Sequence, residues 1–342
     1  MSKRFWGRVK NEDVFLIALS DGNLRAKITN YGGAVVSLWV PDRSGNPVDV
    51  VLGFDTPEEY VSQKSYIGAL IGRSANRIKG SRFTLNGEEF LLEANEGKNQ
   101  LHGGNKGFDK VVWEIESYES NALKLRYHSS DGEGGYPGNL DCSVEYRLED
   151  GRLKIFYTGI ADRDTVMNLT SHGYFNLNGH AGGTIKDHIV SIAADRFTEI
   201  DAESCSTGNI LPVEGTPFDL RKPQKIGDRL AMKHVQLEYG DGFDHNFVLD
   251  RRPGIPAADL YSPESGIGME VYTEMEGMHF YTGSHLDGTL RGKGGAVYGK
   301  YAALCFETQH FPNAVNIAHF PSPVIRKGEV KKSLTSYRFY TK

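Results

Sequence analysis

Polar and apolar residues alternate most clearly between residues 167 and 177. With the two-residue period of a β-strand, this segment turns five hydrogen-bonding side chains to one face and mostly apolar ones to the other. The polar row consists of Asn168, Thr170, His172, Tyr174 and Asn176. Such a row could bind a polyhydroxylated ligand, and the imidazole at its centre suits proton transfer near neutral pH. The solvated face of an edge strand is the alternative, and this segment alone does not separate the two.

Turn dipeptides such as Asp21-Gly22, Asn86-Gly87 and Asp150-Gly151 separate short alternating or apolar runs along the whole chain. This punctuation is typical of an all-β protein. Only residues 56–64 and a stretch near residues 223–233 have the pattern of short helices. Since no linker or repeat divides the chain, we predict one large antiparallel β-sandwich, with residues 1–342 forming a single domain.

Composition narrows the class of protein further. The 342 residues are 39% hydrophobic and 24% charged, as expected of a globular protein, and the net charge of −5 offers no general attraction to nucleic acid or anionic membranes. No apolar stretch approaches transmembrane length, so a cytoplasmic location is expected. Cys142, Cys205 and Cys305 form no CxxC pair and are interpreted as reduced, partly buried thiols.

Two carboxylates stand out by their position. Glu307 interrupts an apolar run over residues 301–306 that has the composition of a central strand. Burial there would raise the pKa of the carboxyl group and make the ionised form a stronger base, although a buried ion pair is the competing interpretation. Asp244 lies where a turn enters another apolar strand, and it could accept two sugar hydroxyls or simply cap the turn.

Several cationic and imidazole side chains occur in glycine-containing loops. His102 precedes two glycines that would let the backbone approach a ligand, while Asn76 and Arg77 lie in a loop over residues 72–78. That loop lacks a phosphate-loop ending, so nucleotide binding is not indicated. The eleven histidines show no paired metal-ligand spacing. We therefore predict no catalytic metal.

Taken in order along the chain, these segments resemble the aldose 1-epimerase family. The segments concerned are residues 30–33, 40–43, 49–55, 72–78, 99–104, 172–177, 244–249 and 307–309. The resemblance implies a large β-sandwich with a sugar in a cleft, Glu307 as general base and His172 as general acid. It also implies that the sugar is surrounded by Asn76, Arg77, His102, Tyr174, Asp244 and the residue at position 279. That residue is His279 here, where family members often carry Gln.

The implied reaction interconverts the α and β anomers of a free aldohexose such as galactose or glucose by ring opening, rotation about C1–C2 and reclosure. It needs no cofactor, and it implies a small sugar as partner and a monomer or homodimer as the assembly. Three alternatives stay open: a hexose-6-phosphate epimerase, a glycoside hydrolase using Glu307 and Asp244, and a sugar-binding module without catalysis. Retention of both Glu307 and His172 argues against the last, since binding alone needs no matched base and acid.

Overall fold

The computed structural model describes residues 2–250, 252 and 254–342. Among them are 29 strands and three short α-helices. The strands are β1 Ser2–Val9, β2 Glu12–Asp21, β3 Leu24–Thr29, β4 Val35–Pro41, β5 Pro47–Asp49, β6 Leu70–Ile71, β7 Arg77–Ile78, β8 Arg82–Leu85, β9 Glu88–Leu91, β10 Gln100–Leu101, β11 Glu114–Tyr118, β12 Ala122–Ser129, β13 Leu140–Glu149, β14 Arg152–Ala161, β15 Thr165–Val166, β16 Thr170–Ser171, β17 Ile189–Ile192, β18 Arg196–Ile200, β19 Ser206–Pro212, β20 Gln224–Lys225, β21 Asp244–Val248, β22 Ala258–Tyr261, β23 Ile267–Thr273, β24 Gly277–Tyr281, β25 Leu290–Arg291, β26 Val297–Tyr298, β27 Cys305–Gln309, β28 Val324–Ile325 and β29 Val330–Thr341. The helices are α1 Pro57–Ser62, α2 Ile226–Leu230 and α3 Val235–Tyr239.

Three larger sheets form the body of the described structure. One has five strands in the order β1-β2-β3-β4-β5, and a second has nine in the order β11-β12-β13-β14-β29-β23-β22-β17-β20. The third has five in the order β19-β18-β21-β24-β27. Neighbouring strands in all three pair antiparallel. This arrangement confirms the predicted all-β class.

The nine-stranded sheet packs against the other two through one face. On β14 the alternate residues Leu153, Ile155 and Tyr157 are buried, while most residues between them are partly exposed. Strand β2 packs against β12 and β13, and β27 packs against β29, where the Tyr337 hydroxyl donates to the Phe306 carbonyl at 3.1 Å. A hydrophobic core that includes residues from Ile17 to Tyr337 fills the space between these layers. The result is the predicted β-sandwich.

The helices follow the sequence signals in part. Helix α1 begins after Thr56, whose hydroxyl accepts from the Glu59 N–H, and the Glu59 carboxylate accepts from the Thr56 N–H, which completes a capping box. Helix α2 lies within the second predicted stretch, whereas α3 was not predicted. Both helices have five residues, too few to show a helical period, so periodicity could not reveal α3. No helix in the described ranges is long and apolar enough to cross a bilayer.

The prediction of one continuous strand from residue 167 to 177 is wrong. Only Thr170 and Ser171 form a strand, which pairs with β6. Beyond Ser171 the backbone changes partners: the N–H of Phe175 donates to Leu304 and that of Asn176 donates to Val50. The segment therefore crosses from one sheet to another, which its alternation could not reveal.

This crossing also divides the polar row. The side-chain amides of Asn168 and Asn176 donate to backbone carbonyls, those of His310 and Ala302 respectively. These two side chains hold loops together and do not line a cleft. His172 and Tyr174 turn toward a cavity instead.

Candidate active site

Strands β21, β24 and β27 bring three predicted site residues onto one face of their sheet. Asp244 on β21 is opposite Tyr281 on β24, and His279 on β24 is opposite Glu307 on β27. The intervening residues, such as Phe280, turn to the other face and join the hydrophobic core. Strand alternation therefore separates a polar face from a packed one, and it places these charged groups side by side.

A cavity of about 220 Å³ opens over this face. Seven of the eight predicted site residues line it, and the eighth, His279, does not. The seven are Asn76, Arg77, His102, His172, Tyr174, Asp244 and Glu307. The remaining lining residues are Lys64, Ser65, Tyr66, Glu96, Leu101, Tyr281 and His285. The volume suits one small, polar molecule.

His172 and Glu307 lie next to each other in the cavity. Nε2 of His172 lies 3.6 Å from Oε1 of Glu307, and both side chains are almost fully buried. Burial raises the pKa of Glu307 well above its usual value, and the charge of Asp244 adds to the effect. Burial also lowers the pKa of His172 to about 3. Both shifts favour the uncharged forms, a protonated carboxyl group and a neutral imidazole.

His102 contributes a hydrogen-bond donor with a fixed direction. The Asn76 N–H donates to its Nδ1 at 3.2 Å, and burial lowers the pKa of His102 well below its usual value, so the ring is neutral. The proton of this neutral ring therefore resides on Nε2. Position 103 requires glycine, because a Cβ there would come within 1.9 Å of the Gly72 carbonyl oxygen. The glycine that follows His102 thus serves a close backbone contact rather than a ligand contact.

The fixed tautomer of His102 also bears on metal binding. Ligand atoms of His102, His172 and Glu307 lie within 4.8 Å of one another, and two imidazoles with a carboxylate are a donor set that zinc accepts. Ligation needs a lone pair, however, and Nε2 of His102 carries the proton while Nδ1 receives the Asn76 N–H. These residues therefore do not fit a resident cation.

Arg77 lies between two carboxylates. Its Nε and Nη2 donate to the Glu96 carboxylate at 2.6 and 2.8 Å, and its Nη1 lies 3.8 Å from Oδ2 of Asp244. Burial opposes the charge of Arg77, but these two carboxylates outweigh it and raise the pKa of the guanidinium. Arg77 therefore stays charged and held in place at the edge of the cavity.

Asp244 is oriented by His279 from behind. Nε2 of His279 lies 2.6 Å from Oδ1 of Asp244, and both residues are buried. Burial by itself raises the pKa of Asp244, but the hydrogen bond from His279 and the charge of Arg77 outweigh it and hold the pKa well below its usual range. Asp244 is thus an ionised acceptor facing the cavity. The structure gives His279 contacts with Asp244 and Asn76, and His279 is not among the residues that line the cavity.

Aromatic rings surround the imidazole of His172. Tyr174 and Tyr66 stack on the imidazole of His172 at centroid distances of 4.9 and 6.0 Å, each at 22° between ring planes. Tyr281 approaches the same ring edge-on at 6.2 Å. Tyr281 shares its strand face with His279, so alternation was a signal that could have found it, whereas Tyr66 lies in a loop with no pattern. Two tyrosines of the wall were therefore missed for different reasons.

Arg73, the other arginine of this loop, turns away from the cavity. It is 2% exposed and its guanidinium donates to Ser129 and to the carbonyls of Pro137 and Gly138. A buried arginine occupied by neutral protein acceptors is not available to a substrate. A phosphate pocket built from Arg73 and Arg77 is consequently not formed.

A β-sandwich with a carboxylate and an imidazole buried together in a polar cleft has the arrangement of an acid–base enzyme for a small polar molecule, and comparison with known proteins identifies the family. Residues 16–338 match the family model described as aldose 1-epimerase. The chain belongs to the aldose 1-epimerase family, which confirms the resemblance drawn from the sequence, and it is an isomerase.

Individual relatives cover nearly the whole chain. A galactose mutarotase from Sus scrofa is 46% identical over 322 residues, 94% of this chain and 92% of its own length. An aldose 1-epimerase from Escherichia coli (strain K12) is 34% identical over 317 residues, 91% of each chain. The crystal structure of galactose 1-epimerase from Lactobacillus acidophilus NCFM superposes with a TM-score of 0.87 at 28% identity, over 99% of this chain and 98% of that one.

Proposed function

We propose that the chain interconverts the α and β anomers of free aldohexoses such as galactose and glucose, with Glu307 as general base and His172 as general acid. The observation that carries the proposal is the 3.6 Å approach of Nε2 of His172 to Oε1 of Glu307 in a buried cavity. The other oxygen, Oε2, has no protein partner within the described ranges, so it is free to accept a substrate proton. A base and an acid thus face one small space.

Ring opening would proceed in a single exchange of protons. Oε2 or Oε1 of Glu307 takes the proton from the C1 hydroxyl while Nε2–H of His172 protonates the ring oxygen. The C1–O5 bond breaks, its electron pair goes to O5, and the lone pair left on O1 forms the aldehyde carbonyl. Rotation about C1–C2 then presents the other face of the carbonyl, and reclosure with reversed roles yields the opposite anomer.

The number of protons on Glu307 and His172 is consistent with these reaction steps. Burial favours a protonated Glu307 and a neutral His172, the form that the pair has after ring opening. Transfer of this one proton to Nε2 gives the ionised base and protonated acid that begin the reaction. No proton has to enter from solvent. General acid and base catalysis supply about 10² to 10⁴-fold each, which is sufficient for a reaction that also proceeds in water.

The neighbouring side chains would hold the sugar. As an ionised acceptor, Asp244 would receive two hydroxyl protons, while Arg77 and Nε2–H of His102 would donate to sugar oxygens. Asn76 and Tyr174 complete the set of proposed contacts along the cavity wall. We propose that His279 influences sugar binding through Asp244, because its hydrogen bond fixes the orientation of that carboxylate.

An unphosphorylated substrate is favoured over a hexose phosphate. Nε and Nη2 of Arg77 already donate to Glu96, which leaves Nη1 for a ligand, and Arg73 is buried elsewhere. Lys64 is the remaining lysine or arginine that lines the cavity, and one lysine is too little for a phosphate dianion.

We further propose that residues 1–342 act as one cytoplasmic domain and as a monomer or homodimer. We propose no nucleic-acid or membrane partner, since the net charge of −5 attracts neither.

Polarimetry on freshly dissolved sugars tests this substrate class. We expect the enzyme to accelerate relaxation of α-D-galactose and α-D-glucose and to act far less on their 6-phosphates. Methyl α-D-galactoside should stay unchanged, since a glycoside has no C1 hydroxyl proton to remove. Release of free sugar from the glycoside would instead support the hydrolase alternative, and equal rates on the 6-phosphates would contradict the proposed substrate.

A further inference from the structure

Strand β27 contacts both ring nitrogens of His172. Sγ of Cys305 lies 3.4 Å from Nδ1, and Oε1 of Glu307 lies 3.6 Å from Nε2. Cys305 and Glu307 are two positions apart on one strand, so their side chains share a face. A single rigid element therefore presents one group to each nitrogen of the imidazole.

The aromatic neighbours of His172 fix the plane of its ring but not its direction. The rings of Tyr66 and Tyr174 both stack on the imidazole, each at 22° between ring planes. Turning the ring by half a rotation about Cβ–Cγ keeps that plane and exchanges the nitrogen edges for carbon edges. Only a hydrogen-bonding contact distinguishes the two orientations. Behind Nδ1, that contact is the thiol of Cys305.

If Nε2 of His172 acts as a general acid, Nδ1 must carry a proton throughout the reaction. After Nε2 has given its proton to the ring oxygen, the neutral imidazole keeps its remaining proton on Nδ1. Nδ1–H must therefore have an acceptor throughout the cycle. We propose that Cys305 is a positioning residue whose sulfur accepts the Nδ1–H of His172 and so directs Nε2 toward Glu307 and the sugar. This inference rests on the acid role proposed for His172.

A neutral sulfur is suited to this place. Burial raises the pKa of the Cys305 thiol well above its usual value, and the charge of Glu307 adds to the effect, so the group stays uncharged. An anionic partner at Nδ1 would stabilise the imidazolium and weaken it as an acid. The carbonyl of His172 is a second acceptor near its own ring, but it already receives the Gly68 N–H at 3.0 Å. Removing the thiol should therefore make the productive ring orientation of His172 less populated without abolishing it.

The test compares Cys305→Ala and Cys305→Ser with Cys142→Ala as the matched control. Cys142 is also a buried free thiol, on β13 in the nine-stranded sheet and outside the cavity lining. Michaelis parameters come from polarimetry, and the tautomer of His172 comes from ¹⁵N NMR of labelled imidazole, assigned by the signal missing in His172→Asn. The wild-type spectrum at neutral pH should show the Nδ1–H tautomer.

In Cys305→Ala we expect kcat to fall about 2- to 10-fold, the range of one net hydrogen bond, with KM within about 2-fold. The Nε2–H tautomer should appear in its spectrum, and Cys305→Ser should restore both readouts because a hydroxyl also accepts. The inference is overturned if wild-type His172 carries its proton on Nε2, if Cys305→Ala keeps wild-type kcat and tautomer, or if Cys142→Ala loses the same activity. Should Cys305→Ala not fold, the wild-type and Cys305→Ser spectra still decide. Full activity in His172→Asn would overturn the acid role itself.

Discussion

The buried pair formed by Asp244 and His279 allows a quantitative prediction about sugar binding. His279→Leu removes the hydrogen bond to Oδ1, which is 2.6 Å long, and leaves Arg77 at 3.8 Å as the nearest charged partner of Asp244. Arg77 is itself shared with Glu96, so it cannot replace the lost donor. A misoriented Asp244 would lose a hydrogen bond to the sugar, and one hydrogen bond to a charged group contributes about 1.5–3 kcal/mol, or about 10- to 150-fold in affinity.

The matched variant is His279→Gln, whose amide can donate to the same oxygen. Because the proposed acid and base do not depend on this contact, we expect His279→Leu to raise KM by about 10- to 150-fold, with kcat within about 3-fold. In His279→Gln the rise in KM should stay below about 10-fold, or ~1.4 kcal/mol. The substitutions are similar in size, so their difference isolates the donor.

Initial rates of α-D-galactose mutarotation by polarimetry give both parameters, and thermal unfolding shows whether each variant is folded. The reasoning is refuted if His279→Leu binds sugar as well as the wild type. A collapse of kcat in His279→Gln would mean that His279 joins the proton transfer, and the roles of His172 and His102 would then need reassignment.

Three further outcomes are expected. The profile of kcat/KM against pH should be bell-shaped, because activity needs one proton shared by His172 and Glu307. Activity falls at low pH when protonation of His172, near its pKa of about 3, adds a second proton to the pair, and at high pH when Glu307 loses its proton at its raised pKa. An acidic limb at the usual imidazole pKa would contradict this. Activity should survive a strong chelator and native treatment with iodoacetamide, since the three cysteines are buried; loss that metal restores, or alkylation that sugar prevents, would be contrary results. Lys293→Met should lower the free energy of unfolding by about 3–5 kcal/mol in urea titration with kcat unchanged, because it leaves Asp49 without its buried partner; an unchanged midpoint would refute this.

The pH dependence of the pair is set by burial, which residue types alone do not reveal. From residue types alone, the acidic limb would belong to the carboxylate and the basic limb to the imidazole. Burial reverses the two, because it disfavours charge on either group and so raises the pKa of Glu307 and lowers that of His172. Burial is a property of packing between strands far apart in the chain, and no local pattern encodes it.

The fold class was predictable because turn residues and alternation act locally. Alternation along β24 could likewise have been read from the sequence, since it places His279 and Tyr281 on one face of the strand. Alternation failed for the segment after Ser171, where the backbone changes sheets, and it gave no sign of Tyr66 or of the contact between Cys305 and His172. Contacts of this kind depend on which loops meet, and only the assembled sheets determine that.

The most direct test of the proposed mechanism is Glu307→Gln, measured for both turnover and binding. The amide keeps the shape of the side chain but cannot accept the C1 proton, so the change should act on the transition state and not on the bound sugar. Polarimetry should show kcat reduced by about 10² to 10⁴-fold, the usual contribution of a general base, while calorimetry finds the Kd for galactose within a few fold of wild type. Near-normal turnover in Glu307→Gln would contradict the assignment of Glu307 as the base.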